Sequence, residues 1–573
     1  MLKPLWPRRR VQPPPWRRNA IFLKGEELMA KGNWPTIPEL FAQSAKRYGR
    51  HIALRMPQLK GRRFSFREVT YRELWELSGK LAVWLSAQGV ESGDRVAIIA
   101  KPSVGWAVAL FAIQRLGAVA VPLDAGLRPA EIARILKEAE VKLLFAAANR
   151  YEELLSLTDE VPSLGEVVSV EVMPGALSLW EVLPEEAEAP PDARPDPEAL
   201  ALLMYTSGTT GDAKGVMLCH RNITSNVEGI LEAIHVTPED KIVTIVPWYH
   251  IYGLTVLLAL LAAGATVSYT DDYRNLIEVA RRCHVTILVG VPKLYHTLWR
   301  RMQENFQSSL LRRLLFRFAP RLLGKIVKKK LLTPEFRFFV SGGAALALEV
   351  GVGFRRLGLG MIEGYGLTET SPVLTFSEPF TKRAGTVGRP LKGIEIHIEQ
   401  PDADGYGEVL VRGPNVMLGY YKNPKRTAEV LTKDGWLRTG DLGRLDPRGY
   451  LFLAGRKKNV IVLESGKNVY PEEVEWELSL IPEVEEVLVY ERKKGGTPVV
   501  AAMVYPNWEE LTKQKIEDAE TAHDLIWERI KEAQKNLATF KRIKSKEDVK
   551  LVDRPFEKST KQEIKRHLYI KGE

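Results

Sequence analysis

A chain of 573 residues with 45% hydrophobic and 27% charged side chains has an ordinary globular composition; this excludes a disordered or fibrous protein and asks for several domains rather than one core. Only two cysteines, Cys219 and Cys283, are present, too few for a disulfide scaffold, so a reducing cytoplasm is the expected compartment. With 82 Lys and Arg against 71 Asp and Glu the net charge is +11, which favours anionic partners: nucleotides, coenzyme A, anionic lipid or nucleic acid.

Residues 1–35 carry Arg8, Arg9, Arg10, Arg17 and Arg18 among prolines and tryptophans, and no apolar run follows, so they read as a basic arm rather than a secretory signal. Leu40 to Tyr48 and Tyr71 to Gln88 have the spacing of amphipathic helices. Arg95 to Ala100 and Ala118 to Pro122 read as short buried strands. This alternation predicts an α/β fold of parallel sheets with crossover helices. Pro184 to Pro197 is rich in Pro, Glu and Ala and predicts an exposed linker.

Apolar Ala199 to Met204 predicts a buried strand that runs into Tyr205-Thr206-Ser207-Gly208-Thr209-Thr210-Gly211-Asp212-Ala213-Lys214-Gly215-Val216. Glycines let backbone N–H groups approach an anion, hydroxyls add donors, and Lys214 adds a charge, so the run predicts a polyphosphate loop. It is not a Walker loop, which needs lysine directly after the second glycine; here Lys214 lies beyond Gly211 and is followed by Gly215.

Pro247 to Gly253 sets aromatics around His250, which suits either a pocket wall or a structural histidine. Ile251 to Val267 is apolar but too short for a membrane span and reads as a buried helix followed by a strand. Residues 300–330 hold Arg300, Arg301, Arg312, Arg313, Arg317, Arg321, Lys325, Lys328, Lys329 and Lys330 against Glu304 alone. Leu311, Leu314, Leu315, Phe318 and Leu322 recur at helical spacing within them. The segment predicts a basic amphipathic helix interrupted at Pro320, suited to an anionic membrane surface or to a core helix with a solvated basic face.

Val340 to Ala345 is a run of small residues after a strand, which lets a flat ring come close. In Glu363 to Thr370, Tyr365 offers a stacking face, Thr368 a donor, and Glu369 a hard oxygen for Mg²⁺. Residues 391–413 alternate apolar and polar and predict a β-rich region. Asp441, in the glycine-rich Gly435 to Gly443, is expected in a turn where it takes both hydroxyls of a ribose. Past Gly455, Pro471 to Leu480 and Ala522 to Leu537 read as helices, and Val484 to Tyr490 and Val499 to Tyr505 as strands. They predict a small α+β domain joined through a hinge at Gly455-Arg456-Lys457-Lys458-Asn459.

The order and spacing of these clusters resemble the adenylate-forming (AMP-binding) superfamily, which includes acyl-CoA synthetases, luciferases and adenylation domains of peptide synthetases. Thr206 to Gly211, Tyr365 to Glu369, and Gly455 to Lys458 followed by Ser465 to Glu475 carry the resemblance, and the last is most similar to fatty-acyl-CoA ligases. It implies an adenylation domain over 36–455, with the basic segment 300–330 as an insertion, and a mobile lid domain over 456–573. It implies ATP, Mg²⁺ and coenzyme A. A carboxylate attacks the α-phosphate to give an acyl-adenylate and pyrophosphate, the lid turns, and the coenzyme thiol displaces AMP.

By motif match the resemblance implies that Thr206, Ser207, Gly208, Thr209, Thr210, Gly211 and Lys214 hold the β- and γ-phosphates. Gly343, Ala344, Tyr365 and Gly366 frame the adenine, Thr368 touches the α-phosphate, and Glu369 with Thr206 serves Mg²⁺. Asp441 and Arg456 bind the ribose, Lys458 sits at the hinge, Gly466 lies where the pantetheine arm enters, and His250 closes the carboxylate end of the acyl pocket.

One departure matters. The family pattern Lys-Thr-x-x-Gly-Lys-Ile-x-Arg aligns with Lys558-Ser559-Thr560-Lys561-Gln562-Glu563-Ile564-Lys565-Arg566, so Glu563 stands where the adenylation lysine belongs. A carboxylate there is repelled by a triphosphate, by about 4 kcal/mol per unit charge at about 4 Å and an effective dielectric near 20. Lys561 or Lys565, which share a side with Glu563 in an extended segment, is expected to substitute, Lys561 being preferred. The alternatives are slow adenylation or a solvated basic tail.

The expected substrate is a medium- to long-chain fatty acid, and the expected location is the cytoplasm with contact to anionic membrane at its inner face; a homodimer is left open and no nucleic acid is expected. Competing readings are acyl transfer to a carrier-protein thiol, activation of an aryl acid, and a basic membrane- or nucleic-acid-binding scaffold, in which the glycine-hydroxyl loop has no purpose.

Overall fold

The structure is a computed structural model in which residues 34–60, 63–185, 194–207, 213–465, 467–558 and 564–570 are described. Most of the basic arm, part of the Pro184 to Pro197 linker, Gly208 to Gly211, Gly466 and Lys561 lie outside the described residues.

Local signals set the first helices. Thr36 and Glu39 form a reciprocal cap on Ile37–Tyr48, as do Thr70 and Glu73 on Tyr71–Ala87. Among the described residues, seven strands form one sheet, running from Gly419–Tyr420 through Ala213–Cys219, Leu200–Ser207, Val119–Pro122, Arg95–Ile99 and Val141–Ala146 to Glu166–Ser169. Nine form a second, from Arg63–Thr70 and Ile52–Lys60 through Thr266–Tyr269, Lys241–Thr244, Ile287–Gly290, Phe338–Ser341 and Gly360–Gly366 to Val373–Phe376 and Arg389–Pro390. Their interiors are parallel, as the helix–strand alternation predicts, and antiparallel strands close every edge except that of Glu166–Ser169, which pairs in parallel.

One apolar cluster joins both sheets through the helices Val104–Arg115 and Ile251–Ala262. Every residue of the first helix is buried, and Trp106 meets Trp248 edge-on at 5.5 Å. The apolar run at Ile251 thus resolves into a helix and the strand Thr266–Tyr269, as its length requires. The basic segment differs from expectation. It forms Pro292–Gln307, Leu310–Phe318 and Pro320–Leu331, with a second break at Ser308 and Ser309 besides the one at Pro320.

A third sheet is antiparallel: Glu395–Glu399, Gly407–Arg412, Leu437–Leu445 and Leu451–Arg456. After it, Val484–Lys494, Thr497–Pro506 and Val549–Leu551 pair into a small sheet that shares its own apolar cluster with Pro471–Ser479 and Ala519–Ala533. This α+β unit touches the larger part through Trp476 on His296 at 5.8 Å and Tyr470 on Tyr406 at 6.1 Å. Both cysteines are free and buried, and burial pushes both thiols up.

Candidate active site

The glycine-hydroxyl run is flanked by two antiparallel strands. Leu200–Ser207 and Ala213–Cys219 pair so that Thr206 lies opposite Lys214 and Ser207 opposite Ala213. Residues 208–212, outside the described residues, join them. Gly215 is needed because a Cβ there would come within 3.2 Å of both Tyr205 and Tyr421.

The Lys214 ammonium stands 5.1 Å from the centre of the Tyr420 ring. Burial lowers its pKa, Arg426 lowers it further, and Glu369 works in the opposite direction. A partly desolvated cation beside other cations is poised for an anion. Tyr420 donates its hydroxyl to Glu369 Oε1 at 2.8 Å, and burial followed by that carboxylate pushes the phenol up. One side chain therefore bridges the hairpin lysine and the expected magnesium carboxylate. No motif flagged Tyr420. Its signal was the Gly-Tyr pair at 419–420, a short edge strand beside the hairpin.

Glu369 and Thr368 lie in the short helical turn Thr368–Thr370 after the strand Gly360–Gly366. The strand can end there because Gly366 has no side chain: a Cβ would sit 1.8 Å from the Pro372 carbonyl oxygen. Tyr365 donates its hydroxyl to Asp441 Oδ2 at 2.6 Å, and Arg456 Nε pairs with Asp441 Oδ1 at 2.9 Å. Burial and then Asp441 hold the Tyr365 phenol protonated. Asp441 is not in the turn expected from sequence. It lies inside the strand Leu437–Leu445, directly opposite Arg456, and the glycine before it, Gly440, takes the left-handed φ of 69° that bends the strand. Glycine spacing suggested a turn because a bulged strand needs the same residue.

Arg456 is also near enough to depress the Lys214 pKa. Lys214, Tyr420, Glu369, Arg456, Asp441 and Tyr365 consequently form one cluster rather than several. Among the described residues, no group of three or more His, Cys, Asp or Glu side chains converges as a metal cage. A single carboxylate with neighbouring hydroxyls suits Mg²⁺ carried on phosphate oxygens, which takes one or two protein carboxylates.

Gly343, with φ 87°, and Ala344 follow the strand Phe338–Ser341. Beneath them lies Tyr252: a Cβ on Gly342 would approach its ring to 3.0 Å, and its hydroxyl donates to the Gly290 carbonyl at 3.3 Å. Tyr252 also walls a narrow apolar slot with a cavity volume of about 40 Å³, with Val256, Ala259, Val289, Val340 and Phe376 among its lining. Sequence reading missed this slot, because its walls come from separated segments between Ile230 and Phe376. His250 is the N-cap residue of Ile251–Ala262 and meets Tyr249 edge-on at 4.8 Å.

Lys458 is exposed in the turn Lys457–Asn459. Lys457 pairs with Glu408 at 2.7 Å, and Asn459 donates to Glu472 at 2.6 Å, so the turn is held from both sides. Lys565 is not brought to the cluster. Its ammonium lies 3.9 Å from Glu557 and lowers the pKa of Glu131. Arg566 beside it pairs with Glu475, and Lys558 pairs with Glu486.

The AMP-binding enzyme family matches residues 41–421, and the AMP-binding enzyme C-terminal domain matches residues 458–572. A long-chain-fatty-acid–CoA ligase of Mycobacterium bovis is 32% identical over 503 residues, 80% of this chain and 82% of its own length. An indoleacetate–CoA ligase of Aromatoleum aromaticum is 32% identical over 471 residues, 79% of this chain and 86% of its own. The crystal structure of ATP-bound MatB from Rhodopseudomonas palustris superposes with a TM-score of 0.74 at 27% identity, over 93% of this chain and 98% of that one.

Proposed function

The chain belongs to the AMP-binding enzymes, the adenylate-forming superfamily in its fatty acid–CoA ligase type, and from that premise we propose that the acid it activates is a medium- to long-chain fatty acid. It is a CoA ligase that uses ATP, Mg²⁺ and coenzyme A. The observation that carries the substrate reading is the slot: it is almost wholly apolar, and its wall residue Tyr252 lies directly under Gly342 and Gly343, the segment this reading gives to the adenine. Such a slot accepts methylenes at about 0.8 kcal/mol each and offers a polar tail nothing.

In this reading Thr206, Ser207, Gly208, Thr209, Thr210, Gly211 and Lys214 hold the β- and γ-phosphates. Gly343, Ala344, Tyr365 and Gly366 frame the adenine, and Asp441 exchanges part of its pairing with Tyr365 and Arg456 for the ribose hydroxyls. Glu369, oriented by Tyr420, and Thr206 would hold Mg²⁺, which supplies charge neutralisation at the phosphates. Thr368 donates to the α-phosphate, and His250 closes the slot at its carboxylate end. A fatty carboxylate oxygen attacks the α-phosphorus and the bond to the pyrophosphate oxygen breaks. The protein's share is positioning and charge at the non-bridging oxygens.

For the second step the lid, residues 456–573, turns about Lys458 and brings Gly466 to the pantetheine arm. The coenzyme sulfur then attacks the acyl carbon, and AMP leaves with the bonding pair. Lys565 already has Glu557 and Glu131 near it, so this reading gives the missing adenylation lysine's charge to Lys561. The same reading keeps the enzyme in the cytoplasm, where its two free thiols persist.

A panel of fatty and aryl carboxylates, assayed for AMP release with and without coenzyme A, tests the proposal. AMP release that rises with alkyl length and turns over only with coenzyme A supports it. A preference for aryl acids, or turnover that needs a carrier-protein thiol instead, overturns it.

A further inference from the structure

We infer that the outer face of the helices Leu310–Phe318 and Pro320–Leu331 is a docking surface for an anionic phospholipid membrane. Leu314, Phe318, Leu322 and Ile326 recur at every fourth residue and are 46%, 75%, 51% and 39% exposed. Leu310 and Leu311, at 66% and 67%, extend the apolar surface at the start of the first helix. Side chains four apart form one row along a helix, so on each helix these residues make a stripe. A second row runs beside it: Arg313, Arg317, Arg321, Lys325 and Lys329, all exposed, again at every fourth residue. Between Leu310 and Leu331 the sequence contains no Asp or Glu.

A core-facing helix with a solvated basic face does not explain this arrangement, because the inward contacts are already made by other residues. Phe316 stacks on Phe306 at 5.2 Å, and Leu323 is buried. Gly324 lies so close to the backbone after the helix Leu348–Arg356 that a Cβ would sit 1.8 Å from the Leu357 carbonyl oxygen. The helices are seated on the protein by one face and present a separate apolar stripe, edged with cations, to solvent. A solvated face has no use for exposed Phe318 and Leu311, whereas the interface of a bilayer takes apolar side chains between its headgroups and cations against its phosphates.

The surface stands apart from the slot. It rises from the connection between the strands Ile287–Gly290 and Phe338–Ser341, whose Leu288 and Phe339 join the cluster under the helices. Ile287, Val289, Phe338 and Val340 on the same strands line the slot. The inference is therefore independent of which acid is activated, although a membrane-resident fatty acid would make docking useful.

Flotation of the full chain with vesicles of phosphatidylcholine containing phosphatidylglycerol, against phosphatidylcholine alone, tests it. Two surface variants keep the N-terminal basic arm intact: R313E/R317E/R321E/K325E/K329E and L314S/F318S/L322S. AMP release on a water-soluble medium-chain acid reports whether each variant is folded. The wild type should float with the anionic vesicles, less so at high salt. The charge variant should lose at least roughly 100-fold in partitioning, given about fivefold per cation, and the apolar variant should lose affinity at every salt concentration. Equal flotation with neutral vesicles, unchanged flotation of the folded charge variant, or a wild type that binds only nucleic acid or another protein through this face overturns the assignment. None of these outcomes bears on the carboxylate panel.

Discussion

Replacing Ala259 by leucine should shorten the acid that the enzyme prefers without disabling its chemistry. Ala259 lines the slot and is 2% exposed. It lies about 10 Å beyond Tyr252 along the same helix, toward the end of the slot away from the nucleotide cluster. Leucine adds three carbons, which project into space that the tail of a long acid would fill. Each methylene excluded costs about 0.8 kcal/mol, so displacement of about three costs roughly 2.4 kcal/mol, or about 60-fold in kcat/KM. The loss falls on acids long enough to reach Ala259. Shorter acids keep their rates, because Lys214, Glu369 and Asp441 are untouched. The measurement is kcat/KM by AMP release for saturated acids from hexanoate to palmitate, with a melting curve to show that the fold is kept. A uniform fall across the series, or an unchanged preference, would refute the placement of the acyl chain in this slot.

Glu369→Gln should lower AMP release at least roughly 100-fold and raise the Mg²⁺ concentration for half-maximal rate; a rate within twofold of wild type would remove Glu369 from the metal site. Lys561→Ala should suppress pyrophosphate exchange by about 100-fold while thioester formation from added acyl-adenylate survives, and Lys565→Ala should leave both within a few-fold. The opposite order would reverse the choice between them. Glu228 carries a pH prediction. Burial first, and then Glu232, raises its pKa from 4.5 to about 7, and Glu228 Oε1 has no hydrogen-bond partner among the described residues. The stability tied to its protonated form is complete below about 4.5 and is lost as pH rises through about 7. Glu228→Gln should therefore flatten the fall in melting temperature between pH 5 and 8, by an amount worth up to roughly 3 kcal/mol. A parallel fall in both proteins would show that Glu228 stays charged.

Family membership, which rests on runs of adjacent residues, was legible in the sequence. The glycine-hydroxyl run, the Tyr365 to Glu369 segment and the start of the lid each announce themselves within about ten positions, because glycine and hydroxyl residues have few other reasons to cluster. The parallel sheets were legible too, since strands such as Arg95–Ile99 are continuous apolar runs between helical periods. Contacts across long separations were not. Tyr420 reaches Glu369 from 51 residues away and Tyr365 reaches Asp441 from 76 residues away, and an isolated tyrosine carries no mark of its partner. The slot is invisible for the same reason: Val256 and Phe376 look like ordinary core residues until the fold leaves a gap between them. Asp441 shows a subtler failure, in which a correct reading of glycine freedom was attached to the wrong element.

The burial of Cys219 and Cys283 has a practical consequence. Shielded, weakly acidic sulfurs exchange slowly with disulfides, because the attacking species is the exposed thiolate. In a reaction mixture the coenzyme then supplies the fast-reacting sulfhydryl, so a chromogenic disulfide reagent can follow its consumption with little background from the enzyme. By the same logic oxidised coenzyme should form no mixed disulfide with the folded chain, and air oxidation should exhaust the substrate before it damages the catalyst.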